Sequence, residues 1–174
     1  MDYKQLISEC HQTAVEHGWW DEPRAEDELI CLFHSEVSEA FEEYRAHKPL
    51  DLVYYKDDNP KPEGIPVELA DLLVRIFDLL GDIYKDNPGL LYSFVERPLI
   101  KKTILAPIPP TFSALCKELH KKISNLAVFN AYFLMMIVKV VDGYCMVNGI
   151  KLEEALRLKM DYNKTRPYRH GKKI

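Results

Sequence analysis

The stretch LICLFHSEVSEAFEEY, residues 29–44, decides the reading of the chain. Leu29, Phe33, Val37, Ala40 and Tyr44 recur at spacings of four and three, which puts one apolar stripe along a helix expected over 25–46. Glu36 and Glu39 stand three apart within it, and side chains three apart on a helix are neighbours. A second stretch, PVELADLLVRIFDLL at 66–80, repeats the pattern. Its helix is expected from Ile65-Pro66 to about Asp86, because Pro suits a first helical turn. Leu69, Leu72, Leu73, Ile76, Leu80 and Ile83 form its inward stripe, and Glu68 and Asp71 repeat the carboxylate spacing.

At about 100° per residue from Leu29, the first stripe centres near about +40°, Glu36 near about −20° and Glu39 near about −80°. With Leu69 at zero, Glu68 falls near about −100° and Asp71 near about −160°. If the two helices pack by their stripes, the acids converge on the groove between them. Two unit charges 4 Å apart repel by about 4 kcal/mol at an effective dielectric near 20. Protonation, a neighbouring Arg or Lys, or a divalent cation must relieve that repulsion. An all-oxygen ligand set favours a hard ion, Mg²⁺ first and Mn²⁺ next.

The rest of the chain reads as helix too. A first helix is expected over 2–17, with Leu6, Cys10, Ala14 and Val15 inward and Gly18 as its end. Residues 47–63 read as a loop and 88–111 as an irregular, proline-rich insertion with room for a short helix. One long helix or two broken ones fit 112–148, and a last helix fits 152–163. The sum is a single all-α domain over 1–174, a bundle of four to six helices. The longest uncharged run, 123–138, is 16 residues and falls short of the roughly 18–20 that a membrane span needs, so no membrane partner is expected. Its apolar character on nearly every side suits a buried helix or a subunit interface.

The 174 residues carry 23 basic and 27 acidic side chains, a net charge of −4 that argues against a general nucleic-acid binder. The charge is uneven. Residues 157–174 hold seven Lys/Arg against the single acid Asp161, so a basic end follows an acidic body. Such a pair suits a site that handles a cation and a polyanion together, or a solvated tail. Four cysteines without a CxxC pair, and no signal peptide at the start, fit reduced thiols in a cytoplasm.

Taken together, four pieces resemble the MazG-like branch of the all-α nucleoside triphosphate pyrophosphohydrolases. They are Gly18-Trp19-Trp20-Asp21-Glu22-Pro23-Arg24, the string from Leu32 to Ala40, the string from Pro66 to Leu72, and the ending from Lys159 to Gly171. The resemblance covers about 18–46, 64–86 and 152–174, with 47–63 and 88–111 as departures. It implies Mg²⁺-dependent hydrolysis of a nucleoside triphosphate between its α and β phosphates. Glu36, Glu39, Glu68 and Asp71 would be the metal ligands. Glu39, ahead of Glu36, would orient or deprotonate the attacking water.

Lys159, Asn163 and Arg166 share one helical face and would meet the triphosphate, with Arg169 beyond them. Arg75 would contact phosphate or, preferably, pair with a site carboxylate. Of Trp19 and Trp20, one would stack on the base and the other plug the bundle, Trp20 being nearer the site in sequence. The resemblance also implies a homodimer or homotetramer. His34 reads as a packed or surface histidine.

Three other readings compete. A di-iron carboxylate bundle needs Glu-x-x-His pairs, and none of the six histidines follows a Glu by three. A zinc site from Cys31, His34, Cys116 and His120 has no standard spacing. A non-catalytic helical module that binds nucleotide or protein is the remaining alternative.

Overall fold

The computed structural model describes residues 1–97, 107–126 and 130–171. Most of the 88–111 insertion's second half, the stretch 127–129 of the uncharged run, and Lys172 and Lys173 of the basic end lie outside the described residues. The fold is all-α. Seven α-helices are described: α1 Tyr3–Glu16, α2 Glu26–Arg45, α3 Ile65–Ile83, α4 Pro88–Val95, α5 Phe112–Ser124, α6 Ala131–Val147 and α7 Leu152–Lys164. A 3₁₀ turn, Tyr168–Gly171, follows. The number exceeds four to six because Pro88–Val95 folds as a helix of its own and 112–148 breaks in two.

Local chemistry sets these boundaries. The side chains of Asp2, Asn87, Thr111 and Asn130 accept the first free backbone N–H groups of α1, α4, α5 and α6. Asn130 starts a new helix inside the uncharged run, which is why the run is not one rod. Gly64, at φ +119°, turns the chain into α3, and a Cβ there would sit 2.3 Å from the Leu52 carbonyl oxygen. Only glycine fits both demands.

α3 is the central helix. It packs against α1, α2 and α7, and against α6 to a lesser degree. Leu69, Leu72, Leu73, Ile76 and Leu80 are fully buried, and so are Ile65, Val67, Ala70 and Phe77 on its other sides. Each such Leu, Ile, Val or Phe contributes about 1.5–3 kcal/mol of burial. Ile83, expected inward, is 37% exposed because α3 ends there rather than at Asp86. Val15 faces out on α1, and Ile7 takes its place in the core. Tyr44 is partly exposed at the end of α2, with its ring against Phe112.

The segment 47–63 is more than a loop. Tyr54–Tyr55 and Pro62–Glu63 pair antiparallel, Tyr54 opposite Glu63, and this small hairpin packs on α3 and α7. Strands of two residues are too short to leave a period in the sequence.

Candidate metal centre and adjoining cleft

Glu36 comes from the inner face of α2, Glu39 from one turn further on, and Glu68 from the first turn of α3. One carboxylate oxygen from each lies within 4.8 Å of the others, the one such group among the described residues. Glu36 and Glu68 are buried and Glu39 is exposed, so the group opens outward through Glu39. Glu36 and Glu39 sit where the helical wheel puts them. Glu68 is buried despite its angle, because α3 is covered on nearly every side.

Ionisation of the group is poorly compensated. Arg75 Nε donates to Glu36 Oε1 at 2.5 Å. Burial still pushes the Glu36 carboxyl up to about 7, against the pull of Arg75 and with the added repulsion of Asp71 and Glu39. Burial and the negative charge of Asp71 push Glu68 up to about 8, and Lys159 and Lys61 only partly offset this. Glu68 Oε2 is buried without a hydrogen-bond partner. An ionised carboxylate oxygen in that position is costly unless something positive reaches it. An all-oxygen set of three carboxylates is the kind that Mg²⁺ or Mn²⁺ takes.

Asp71 adjoins the three glutamates without entering the tight group. Its Oδ2 lies 2.5 Å from Lys159 Nζ, and that ammonium, on α7, is buried. The structure therefore brings Glu36, Glu39 and Glu68 together and ties Asp71 to the basic end of the chain.

A cleft of about 340 Å³ opens beside the glutamates. Glu39, Asp71 and Arg75 line it together with Lys159, Asn163 and Arg166. Asn163 is buried, and its Oδ1 has no hydrogen-bond partner. Ala14, Val74 and Met160 add apolar surface to it.

Trp19 lines the cleft and Trp20 does not. Trp20 packs on the core instead, and its Nε1 donates to Asp78 Oδ1 at 2.7 Å. The tryptophan nearer the site in sequence is thus the one held away from the cleft, because the link between α1 and α2 turns Trp20 inward. Arg169 also stays out of the cleft. Its Nε donates to the Gly18 carbonyl and its backbone N–H to the His17 carbonyl, which clamps the end of the chain onto that link.

The same clamp holds Tyr168, whose hydroxyl donates to Asp21 Oδ2 at 2.6 Å. It also sets His170 edge-on to Trp19 at 5.4 Å between ring centres. Burial and the surrounding cations push the His170 imidazole down to about 3, so it stands neutral at the cleft wall.

Several residues were not foreseen as site residues. Lys61, from the hairpin, is raised above the ordinary lysine range: burial works against its charge, and Glu68, Glu63 and Asp71 outweigh burial. Arg24 and Asp78 line the far end of the cleft. A carboxylate within the apolar run of α3, seven residues after Asp71, is a signal available in the sequence for Asp78. Nothing local distinguishes Lys61. His34 Nδ1 and His120 Nδ1 stand 2.8 Å apart with ring centres at 5.1 Å and planes 16° apart. The two rings lie end to end and share one proton, which leaves no room for a zinc ion between those nitrogens.

No helix among the described residues is long and apolar enough to cross a membrane. No protein-family model, curated protein or solved structure matches the chain.

Proposed function

We propose that the chain hydrolyses a nucleoside triphosphate between its α and β phosphates, in the manner of the MazG-like pyrophosphohydrolases, with Mg²⁺ held by Glu36, Glu39 and Glu68. The observation that carries this reading is one cleft that joins acid to base: Glu39, at the open edge of a cluster of three carboxylates with one orphaned oxygen, lines it together with Lys159, Asn163 and Arg166. Acid alone would repel a polyanion, and base alone would need no glutamates. Together they fit a substrate that brings phosphates to a cation.

When bound, the ion neutralises phosphate charge and makes water acidic enough to serve as a nucleophile. The chain's own groups do the rest. Glu39, exposed to the cleft and unpaired with any cation in the described contacts, takes a proton from the attacking water. The water oxygen bonds to the α phosphorus. The bond from that phosphorus to the α–β bridging oxygen breaks, and pyrophosphate leaves with the electron pair. Arg166 and Lys159 steady the negative charge that gathers on the departing oxygens, and Asn163 Nδ2 donates to a phosphate oxygen. Asp71 holds Lys159 in place, and Arg75 holds Glu36. Little covalent work remains for the protein, as phosphoryl transfer requires.

The remaining partners follow from the same reading. Tyr132 and Phe133 stand 43% and 51% exposed on α6, side by side at the surface, and a second copy of the chain covers them in a homodimer or homotetramer. Cys10, Cys31, Cys116 and Cys145 are all free thiols, which suits a cytoplasmic setting.

The test is release of pyrophosphate from a panel of ribo- and deoxyribonucleoside triphosphates with and without Mg²⁺. Equimolar nucleoside monophosphate and pyrophosphate, only with the metal, is the expected result. No turnover of any nucleotide would leave a non-catalytic helical module.

A further inference from the structure

The end of the cleft away from the glutamates is built around a buried carboxylate. Asp78 is 7% exposed and lines the cleft. Its Oδ1 accepts from Trp20 Nε1 at 2.7 Å and lies 3.0 Å from His11 Nδ1. Its Oδ2 has Arg24 Nη1 at 3.6 Å, longer than a hydrogen bond, so that oxygen keeps accepting capacity. The Arg24 guanidinium lies over the rings of Trp19 and Trp20, at 5.3 and 5.6 Å, and is itself nearly buried. A fixed acceptor, a fixed forked donor and an aromatic ring thus meet at one place.

The spacing to the phosphate end is set by α3. Asp71, Arg75 and Asp78 all line the cleft. Residues seven apart on a helix share a face and are separated by about 10 Å at 1.5 Å per residue. That is the reach from an α phosphate to the pairing edge of its base. The helix that supplies Glu68 at one end therefore presents Asp78 where the base arrives.

We propose that Asp78 and Arg24 read the base, and that they select one carrying an amino group beside an acceptor atom over uracil or thymine. The proposal rests on the triphosphate reading and deepens it. An ionised carboxylate only accepts hydrogen bonds. Cytosine offers its 4-amino group, guanine its 2-amino group and ring N–H, and adenine its 6-amino group. Each also presents an acceptor to Arg24. Uracil and thymine instead point a carbonyl oxygen at each side of their single ring N–H, which sets oxygen against the Asp78 carboxylate. That ring N–H can donate as well, but only with a carbonyl oxygen drawn up beside the carboxylate, so its pairing is weaker than the one an exposed amino group makes. Trp19 stacks on the base from the cleft wall.

The experiment measures kcat/KM of the wild-type protein with Mg²⁺ for ATP, GTP, CTP, UTP and their deoxy counterparts, dTTP included. The best amino-bearing nucleotide is expected to exceed every uracil or thymine nucleotide by at least about fivefold, and the arms identify which amino base it is. A smaller margin, or a uracil or thymine nucleotide as the best substrate, overturns the proposal while the hydrolase reading stands. No turnover at all removes that reading and the proposal with it. In Asp78→Asn the side chain still accepts from Trp20 and His11 but turns an amide N–H₂ toward the base. The preference is expected to collapse through a rise in KM for the amino-bearing nucleotide larger than that for UTP. An equal loss for all nucleotides would make Asp78 a purely structural residue and overturn its assigned role. The wild-type comparison decides the selectivity even if that variant fails to fold.

Discussion

At the residue scale, the deciding atom is Glu68 Oε2, buried without a partner beside two further carboxylates. A buried acceptor left unsatisfied costs about 1–3 kcal/mol. Glu68→Gln removes the charge and keeps the shape. It is expected to raise the melting temperature in metal-free buffer at pH 8, to abolish nucleotide turnover, and to erase any stabilisation by Mg²⁺. Thermal melts with and without the ion check all three, and a variant less stable than wild type without metal would refute the assignment of strain to that oxygen. Glu36 and Glu39 were legible in the sequence because α2 has a single buried stripe from which angles can be measured. Glu68 was legible only as part of a pair, since α3 has no exposed face against which to judge it. Trp19 and Trp20 show the opposite limit. Two identical side chains in a link carry no period, so the sequence could not say which ring turns inward to Asp78.

At the scale of elements, two connections hold the cleft together. Gly64 starts α3 and so sets where Glu68 sits. Gly18 lets the chain's end close on the link before α2. Gly18 has φ +75°, and an added Cβ would fall 2.0 Å from the Tyr168 ring. Gly18→Ala is expected to cost about 1–3 kcal/mol from backbone strain and to push Tyr168 off the link. The Tyr168 hydroxyl then loses Asp21, and His170 loses its place against Trp19. KM for the nucleotide should rise while far-UV helicity persists, which steady-state kinetics and circular dichroism can separate. An unchanged KM would mean that the clamp does not shape the cleft. The lengths of α1, α2 and α7 and the start of α3 followed from apolar spacing and from Gly18, Pro49 and Pro66, while α3 ends at Ile83, short of Asp86. The hairpin in 47–63 did not, because four strand residues leave too little pattern, and with it Lys61 escaped notice.

Across the whole molecule, charge and burial set how stability depends on pH. Glu36 and Glu68, pushed up to about 7 and about 8, hold protons in the folded protein that the unfolded chain has released above its ordinary carboxyl range. Their contribution is full at low pH and is lost as pH rises toward 8. His170, pushed down to about 3, acts the other way: unfolding lets it take up a proton below its ordinary value, so it stabilises increasingly as pH rises to about 6.5. Of these three groups, only the glutamates act above that point. Denaturant titrations without metal should show stability falling between pH 6.5 and 8, and saturating Mg²⁺ should remove most of the fall. Assembly belongs to this scale as well. Phe133→Glu places a charge on the exposed apolar surface of α6 and is expected to shift the mass seen by light scattering toward a single chain, with turnover per chain retained because one copy lines the cleft. The proposed hydrolysis needs carboxylates from α2 and α3 to trap a divalent cation. The most direct measurement is a titration with Mn²⁺ at pH 8, read by the loss of the free-ion paramagnetic resonance signal, for wild type and for Glu68→Gln. The account predicts saturable binding by the wild type that falls at least about tenfold in the variant, as loss of one charged ligand implies. Mn²⁺ that stays free with the wild type, or binds both proteins alike, would contradict it.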